Sequence, residues 1–118
     1  MNINQWEIWM VDFNPTRGQE ISKLRPAIVV NDQRLGKLNL RVAVPITDVK
    51  FTNVWHHEIT PNKGNGLSKN SSADCFQLKS LSCDRFVKKI GSLDANHRPH
   101  VQLKMMLVFQ HLKKFVKF

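Results

Sequence analysis

Tyrosine is absent from this 118-residue chain, cysteine occurs twice, and there are 9 acidic side chains against 18 lysines and arginines. Each shortage excludes something. No apolar run approaches the ~20 residues that cross a bilayer, and the longest near the C-terminus is Met105 to Phe109. Cys75 and Cys83 lack the close spacing of a zinc or redox motif, and two thiols do not make a disulfide framework. They read as reduced packing residues, which points to the cytoplasm. Met1-Asn2-Ile3-Asn4 has neither the basic nor the apolar region of a signal peptide, in keeping with that location. A glycine-rich phosphate loop is missing too, because Gly64-Asn65-Gly66 has no third glycine and no following helix. His56 and His57 are adjacent, so on a strand they face opposite ways. His97 and His100 have the i, i+3 spacing of a ligand pair, but no Cys, Asp or Glu is placed to complete a set. No metal and no cofactor is expected.

What is present is an ordinary globular composition, 42% hydrophobic and 23% charged, at a length that makes one domain of residues 1–118. The net charge of +9 is lopsided: residues 1–59 carry 7 basic and 6 acidic groups, residues 60–118 carry 11 and 3. From Ala95 onward there is no acid at all. An anionic partner is the sharper reading of this excess, and a solvated basic surface kept for solubility is the plainer one.

Trp6 to Phe13 alternates with apolar residues on both faces, which predicts a strand buried on both sides. Asn14-Pro15-Thr16-Arg17-Gly18 stops it with turn chemistry, and a polar loop runs to Leu24. Pro26–Asn31 and Arg41–Thr47 read as strands, Pro45 marking the latter as an edge or bulged one. Val54–Ile59 is a short fourth strand, and 61–72 reads as a flexible loop beside the binding surface. Ala73–Leu78 and Ile90–Leu93 are further strands, with a helical turn near Asp84 to Lys88. Val101, Met105, Val108 and Leu112 then fall on one helical face, wider in apolar residues than a surface helix needs. Asp94 or Asn96 suits its N-cap, Pro99 its first turn, and Lys113 and Lys114 its C-terminal end. Many short strands with one terminal helix predict a mostly β fold with α elements (α+β), built as a small barrel.

A polar set falls at strand ends, where a scaffold holds side chains rigidly at the solvent boundary. Arg25 opens the second strand, Thr47 closes the third, and Gln77, Lys79 and Ser80 straddle a later one. Position alone gives Arg25 a surface ion pair with Glu20 or Asp48.

The stretch Glu7-Ile8-Trp9-Met10-Val11-Asp12-Phe13-Asn14-Pro15-Thr16-Arg17-Gly18-Gln19-Glu20, followed by Arg25-Pro26-Ala27-Ile28-Val29-Val30, resembles the opening of the MazF/PemK toxins. Val44-Pro45-Ile46-Thr47, Gln77-Leu78-Lys79-Ser80 and Ile90-Gly91-Ser92-Leu93 resemble its later blocks, so the likeness covers nearly the whole chain. The resemblance implies an SH3-like barrel with short helical turns and a C-terminal helix. It implies a type II toxin–antitoxin endoribonuclease that works as a homodimer and cuts single-stranded RNA or mRNA without a metal or cofactor. It also implies a cognate acidic antitoxin, with which such toxins bind DNA. Arg25 and Thr47 match the catalytic arginine and threonine, and Glu20 is the candidate general base. Thr16, Arg17, Gln19 and Lys23 in the first loop, with Gln77, Lys79, Ser80 and Arg85, match RNA-contacting segments. Gln19 stands where some members have His, and Phe76 where some have an acid.

The residue chemistry is compatible with that implication. Attack of a 2′-hydroxyl on the adjacent phosphorus builds charge on the non-bridging oxygens, which a planar guanidinium grips in a bidentate way and a hydroxyl supports. A guanidinium with pKa above ~12 serves there as an electrostatic stabiliser rather than a proton donor. Two other readings stand beside it. One is a non-catalytic nucleic-acid- or gyrase-binding module of the same fold, and the other, resting on charge alone, is a small ribosome-associated protein.

Overall fold

The computed structural model describes residues 2–15, 17–20, 23–35, 37–48 and 53–109. Seven strands, β1 (Glu7–Asp12), β2 (Leu24–Val29), β3 (Leu40–Asp48), β4 (His56–Ile59), β5 (Ser71–Asp74), β6 (Lys79–Ser82) and β7 (Phe86–Ser92), precede one helix, α1 (Arg98–Phe109). All pairings are antiparallel, in the order β4-β5-β3-β2-β1-β7, with β6 also on β3. This mostly β architecture with a terminal helix matches the expected class. The path does not close on itself, however. The segment after β4 spans the gap to β7, where Ser92 N–H donates to Gly64 O at 2.8 Å.

Strand alternation distributes the apolar residues over two cores. Ile8, Ile28, Val44, Ile46 and Ala73 face one, which Leu67, Leu93 and Val101 of the later segments cover. Trp9, Val11, Ala27, Val29 and Ala43 face the other, filled by Ile3, Phe13, Leu81 and Phe86. Trp9 and Phe86 meet edge-on there, with ring centroids 6.3 Å apart. β1 is therefore buried on both sides, as its sequence predicts. Cys75 packs inside the first core, where burial pushes its thiol up to about 12, so it is an inert structural residue.

Four local expectations are corrected. β3 is the central strand rather than an edge: β2 pairs with residues 43–45 on one side, and β6 (40–43) and β5 (46–48) follow each other on the opposite side. Pro45 falls between the last two pairings, where its missing N–H removes no ladder bond. Ala73–Leu78 is not one strand. Asp74 accepts the Phe76 N–H at 3.1 Å and turns Cys75–Gln77 into a 3-10 turn, the local side-chain bonding that competes with a ladder. The later helical turn is Cys83–Arg85, capped by Ser82, and Val87 and Lys88 belong to β7. Finally, Asp94 does not cap α1, because its carboxylate accepts from Asn62 Nδ2 at 2.8 Å. The helix follows a turn at 95–97 instead, with His97 C=O accepting from Val101 N–H. Val101 is buried and Met105 and Val108 pack inward, while Leu103, Met106, Leu107 and Phe109 stay exposed. Leu112, Lys113 and Lys114 lie outside the described residues.

The 61–72 segment is tied down. Asn62 Oδ1 accepts from Gly64 and Asn65 N–H, and the buried Asn65 amide bonds Asn62, Thr60 and Leu67. Gly66 and Gly91 face this contact from its two sides: a Cβ on Gly91 would lie 2.4 Å from the Gly64 carbonyl oxygen, and one on Gly66 2.1 Å from the Ile90 oxygen. The expected cost of Gly91→Ala is about 2–3 kcal/mol of unfolding free energy in urea denaturation, since backbone rather than a pliable side chain must give way.

Among the described residues no group of three or more His, Cys, Asp or Glu is placed to hold a metal, and the four histidines of the two motifs have other neighbours. His56 turns to Asp74, 3.6 Å away, and His57 turns to the helix, with its Nε2 2.8 Å from His97 Nδ1 and its ring stacked on His100. Burial first, then the Lys104 ammonium and the two helix histidines, lower His57 from the usual 6.5 to about 4. Between those values the unfolded chain binds a proton that the folded one refuses, so stability is full above pH 6.5 and falls as pH drops towards 4. A full shift of this size carries ~3 kcal/mol. Partial exposure reduces the expected loss to about 1–2 kcal/mol, read from urea midpoints against pH and flattened by His57→Gln.

Candidate functional site

β1 ends at Asp12, and the chain loops through residues 14–23 before returning as β2. Phe13 N–H donates to Lys23 O at 3.0 Å and Lys23 N–H to Asn14 Oδ1 at 3.1 Å, which closes the loop at its root. Lys23 takes a left-handed φ of 70° to make the return, a conformation that non-glycine residues adopt only at an energetic cost. Arg85 braces the same root from the other side, donating from Nη1 to the carbonyl oxygens of Asp12 and Asn14. At the tip, Arg17 N–H donates to Glu20 Oε1 at 2.8 Å, and Glu20 Oε2 lies 3.5 Å from Lys79 Nζ. The Arg17 N–H, then the Lys79 ammonium, hold the Glu20 carboxyl below the usual carboxylate range.

The sheet register brings the two matched catalytic positions together. Val11 pairs with Arg25, Ala27 with Pro45, and Thr47 with Ser72, which pairs in turn with Glu58. Continuing the β2–β3 register by two residues sets Arg25 opposite Thr47. Paired residues share a face and alternate every two positions. Val11 and Arg25 therefore share the sheet face of Ala27, and Thr47, Ser72 and Glu58 share the same face through Ala43. Adjacent strands are ~4.8 Å apart, which is within the span of a single phosphodiester for Arg25 and Thr47. Both side chains are half-buried, and Thr47 Oγ1 donates to Asp48 O at 3.1 Å. Ser72 is fully buried, and its hydroxyl has no hydrogen-bond partner among the described residues.

A groove of about 500 Å³ is lined by Phe13, Gln19 and Glu20 from the first loop side and by Phe76, Gln77, Leu78 and Lys79 around the turn before β6, and Arg25 and Thr47 are not among its lining residues. Gln77 Nε2 donates across it to Gln19 O at 3.4 Å. Lys79 pairs with Ala43 and so shares the face of Arg25 and Thr47. Gln19, Glu20, Gln77 and Lys79 are thus brought into one groove, and Arg17 and Lys23 stand exposed on the loop above it. Ser80 is not among them. It pairs with Val42, faces the other way, and lines a separate cavity of about 90 Å³ with Leu35, Leu38 and Leu40. Arg85 holds backbone rather than facing the groove, and Thr16 lies outside the described residues.

Sequence reasoning passed over Ser72 and Glu58, which only strand pairing aligns with Thr47, and the apolar floor of Phe13 and Leu78. It also passed over the contact of Phe76 with Trp55, whose ring centroids are 5.3 Å apart. An exposed aromatic within a block of polar motif residues was the available signal for Phe76.

The model of the PemK-like, MazF-like toxins of type II toxin–antitoxin systems matches residues 4–109. Endoribonuclease MazF9 of Mycobacterium tuberculosis is 30% identical over 96 residues, which cover 75% of this chain and 80% of that protein. The crystal structure of MazF from Deinococcus radiodurans superposes with a TM-score of 0.78 at 20% identity, covering 91% of this chain and 96% of that one. An endoribonuclease in complex with its cognate antitoxin, from a mycobacterial species, does so with a TM-score of 0.73 at 11% identity, covering 92% and 95%. These two likenesses concern the fold, whereas the match over 4–109 concerns the sequence itself. The chain belongs to the PemK-like, MazF-like family of type II toxin–antitoxin toxins.

Proposed function

We propose that this chain is the endoribonuclease toxin of a type II pair, cutting single-stranded RNA at Arg25 and Thr47 by attack of the substrate's own 2′-hydroxyl. The observation that carries the reading is the sheet register, which puts Arg25 and Thr47 on one face two residues beyond the Ala27–Pro45 pair, together with a groove that gathers Gln19, Glu20, Gln77 and Lys79. In this mechanism the O2′–P bond forms as the P–O5′ bond breaks. The 2′ proton leaves to a base, the departing 5′ oxygen takes one up, and the products end in a 2′,3′-cyclic phosphate and a 5′-hydroxyl. Arg25 holds two non-bridging oxygens as charge develops on them, and Thr47 donates a further hydrogen bond. The reaction is carried by these groups without a metal.

Lys79 and the exposed Arg17 and Lys23 then bind neighbouring phosphates, and Gln19 and Gln77 contact the strand. Glu20 enters as base only when it is released from the Arg17 N–H and from Lys79, because the first contact and then the second keep the carboxylate a weak proton acceptor. The functional unit is a homodimer in the cytoplasm, and its inhibitor is a cognate acidic antitoxin that occupies the groove. MazF9 being an endoribonuclease and the mycobacterial complex holding an antitoxin support both parts of this reading.

Arg25→Ala is expected to lower the cleavage rate by ~10²–10³ with an unchanged circular dichroism spectrum. Cleavage near the wild-type rate would remove Arg25 from the chemistry. In the same assay Glu20→Gln separates the two roles of that carboxylate. Loss of the acidic limb of the rate–pH profile identifies the base, and an unaltered profile leaves Glu20 as the partner of Lys79 and the loop tip.

A further inference from the structure

Phe76 is one of two exposed phenylalanines among the described residues, the other being Phe109 at the end of α1. The Phe76 ring is 60% exposed, although it follows the fully buried Cys75 directly. The turn itself enforces this. Cys75 N–H donates to Trp55 O at 3.2 Å and Asp74 accepts the Phe76 N–H, so the 3-10 turn sends Cys75 inward and Phe76 outward. Trp55, anchored against the first core, supports the ring from behind at 5.3 Å between centroids with planes tilted by 56°. The exposed ring lines the same groove as Gln19, Gln77 and Lys79.

The geometry points to a base-stacking subsite: Phe76, braced by Trp55, stacks one unpaired nucleobase of a single-stranded RNA held in the groove. This rests on the reading of the chain as an RNA-cutting toxin and deepens it. Three features of the groove choose a nucleobase. A rigidly presented aromatic face matches the π-face that every base exposes once unpaired. Gln19 and Gln77 line the same groove, and a side-chain amide carries both donors and an acceptor, the complement of a base edge. Lys79 supplies the cation that a flanking phosphate requires, in a chain of net charge +9. A ring with this exposure contributes little to packing, so its removal leaves the fold in place.

The test is a double-mutant cycle. Binding of a short single-stranded RNA containing the cleavage site, blocked by 2′-O-methylation at the cut, is measured for wild type and Phe76→Ala, with each base in turn replaced by an abasic residue. Phe76→Ala is expected to weaken binding about tenfold with an unchanged melting temperature. One abasic position should weaken the wild type by a similar factor and the variant hardly at all. Phe76→Tyr should restore the affinity, and Phe76→Leu should not. Equal affinity of wild type and Phe76→Ala, independence of the two changes at every position, or full rescue by leucine overturns the subsite while leaving the nuclease reading intact. If the wild-type protein neither binds nor cleaves any single-stranded RNA, the nuclease reading falls and the subsite with it.

Discussion

The double occupancy of one edge of β3 is the constraint on which the rest of the molecule depends. A nine-residue strand pairs with β2 along one side and with β6 and then β5 along the other, so five of the other six described strands are tied to it directly or through one neighbour. The handover between β6 and β5 happens at Val44 and Pro45, where a residue without an N–H is harmless. Because alternation is strict, this one strand sends Val44 and Ile46 into one core and Ala43 into the other, and leaves Thr47 at the boundary of the second. A register slip of one residue would exchange the cores and bury Thr47 on the wrong face.

The site is the open end of that second core. Phe13 and Phe86 are fully buried at its lower reaches, and the face then continues outward into Arg25 and Thr47, half in solvent. A cation in such a position is screened less than a surface one and costs less to desolvate than a buried one, which suits a charge that must meet a phosphate. The first loop is fastened at the root by Arg85 and at the tip by the Arg17, Glu20 and Lys79 contacts. Its tip contacts are the exposed, exchangeable kind, and an anion entering the groove competes for the same Lys79. Most of the excess positive charge lies in the second half of the chain, while Arg25 and Thr47 come from the nearly neutral first half. In the proposed function the basic excess acts as a binding field, and the chemistry rests on a guanidinium and a hydroxyl on one face of the sheet.

The central strands were legible because Ile, Val and Trp alternate strongly in them and are bounded by Asn-Pro and Pro-led turns. The interruption at Cys75–Gln77 was not, because one Asp74 side chain outweighs the β-like run around it. Pro45 misled for a related reason: a proline excludes a ladder bond at one position only, and pairing of the neighbouring residues is invisible in the sequence. Arg25 and Thr47 were found through resemblance; their spacing of 22 positions says nothing by itself, and only the antiparallel register makes them neighbours. Ser80 shows the converse limit, since it adjoins Lys79 in the chain and faces away from it in the strand. Trp55 with Phe76, and His57 with the helix histidines, are long-range meetings of the same kind.

The claim that one substrate hydroxyl is activated and one phosphate stabilised on this sheet face has a direct chemical signature. A single-stranded RNA is digested alongside the same strand carrying a 2′-deoxy residue at the cut position, and the ends are identified by mass spectrometry. The account predicts 2′,3′-cyclic phosphate and 5′-hydroxyl ends from the RNA and no cut at the deoxy position. Cleavage at the deoxy position, ends bearing a 3′-hydroxyl and 5′-phosphate, or RNA left intact would contradict it.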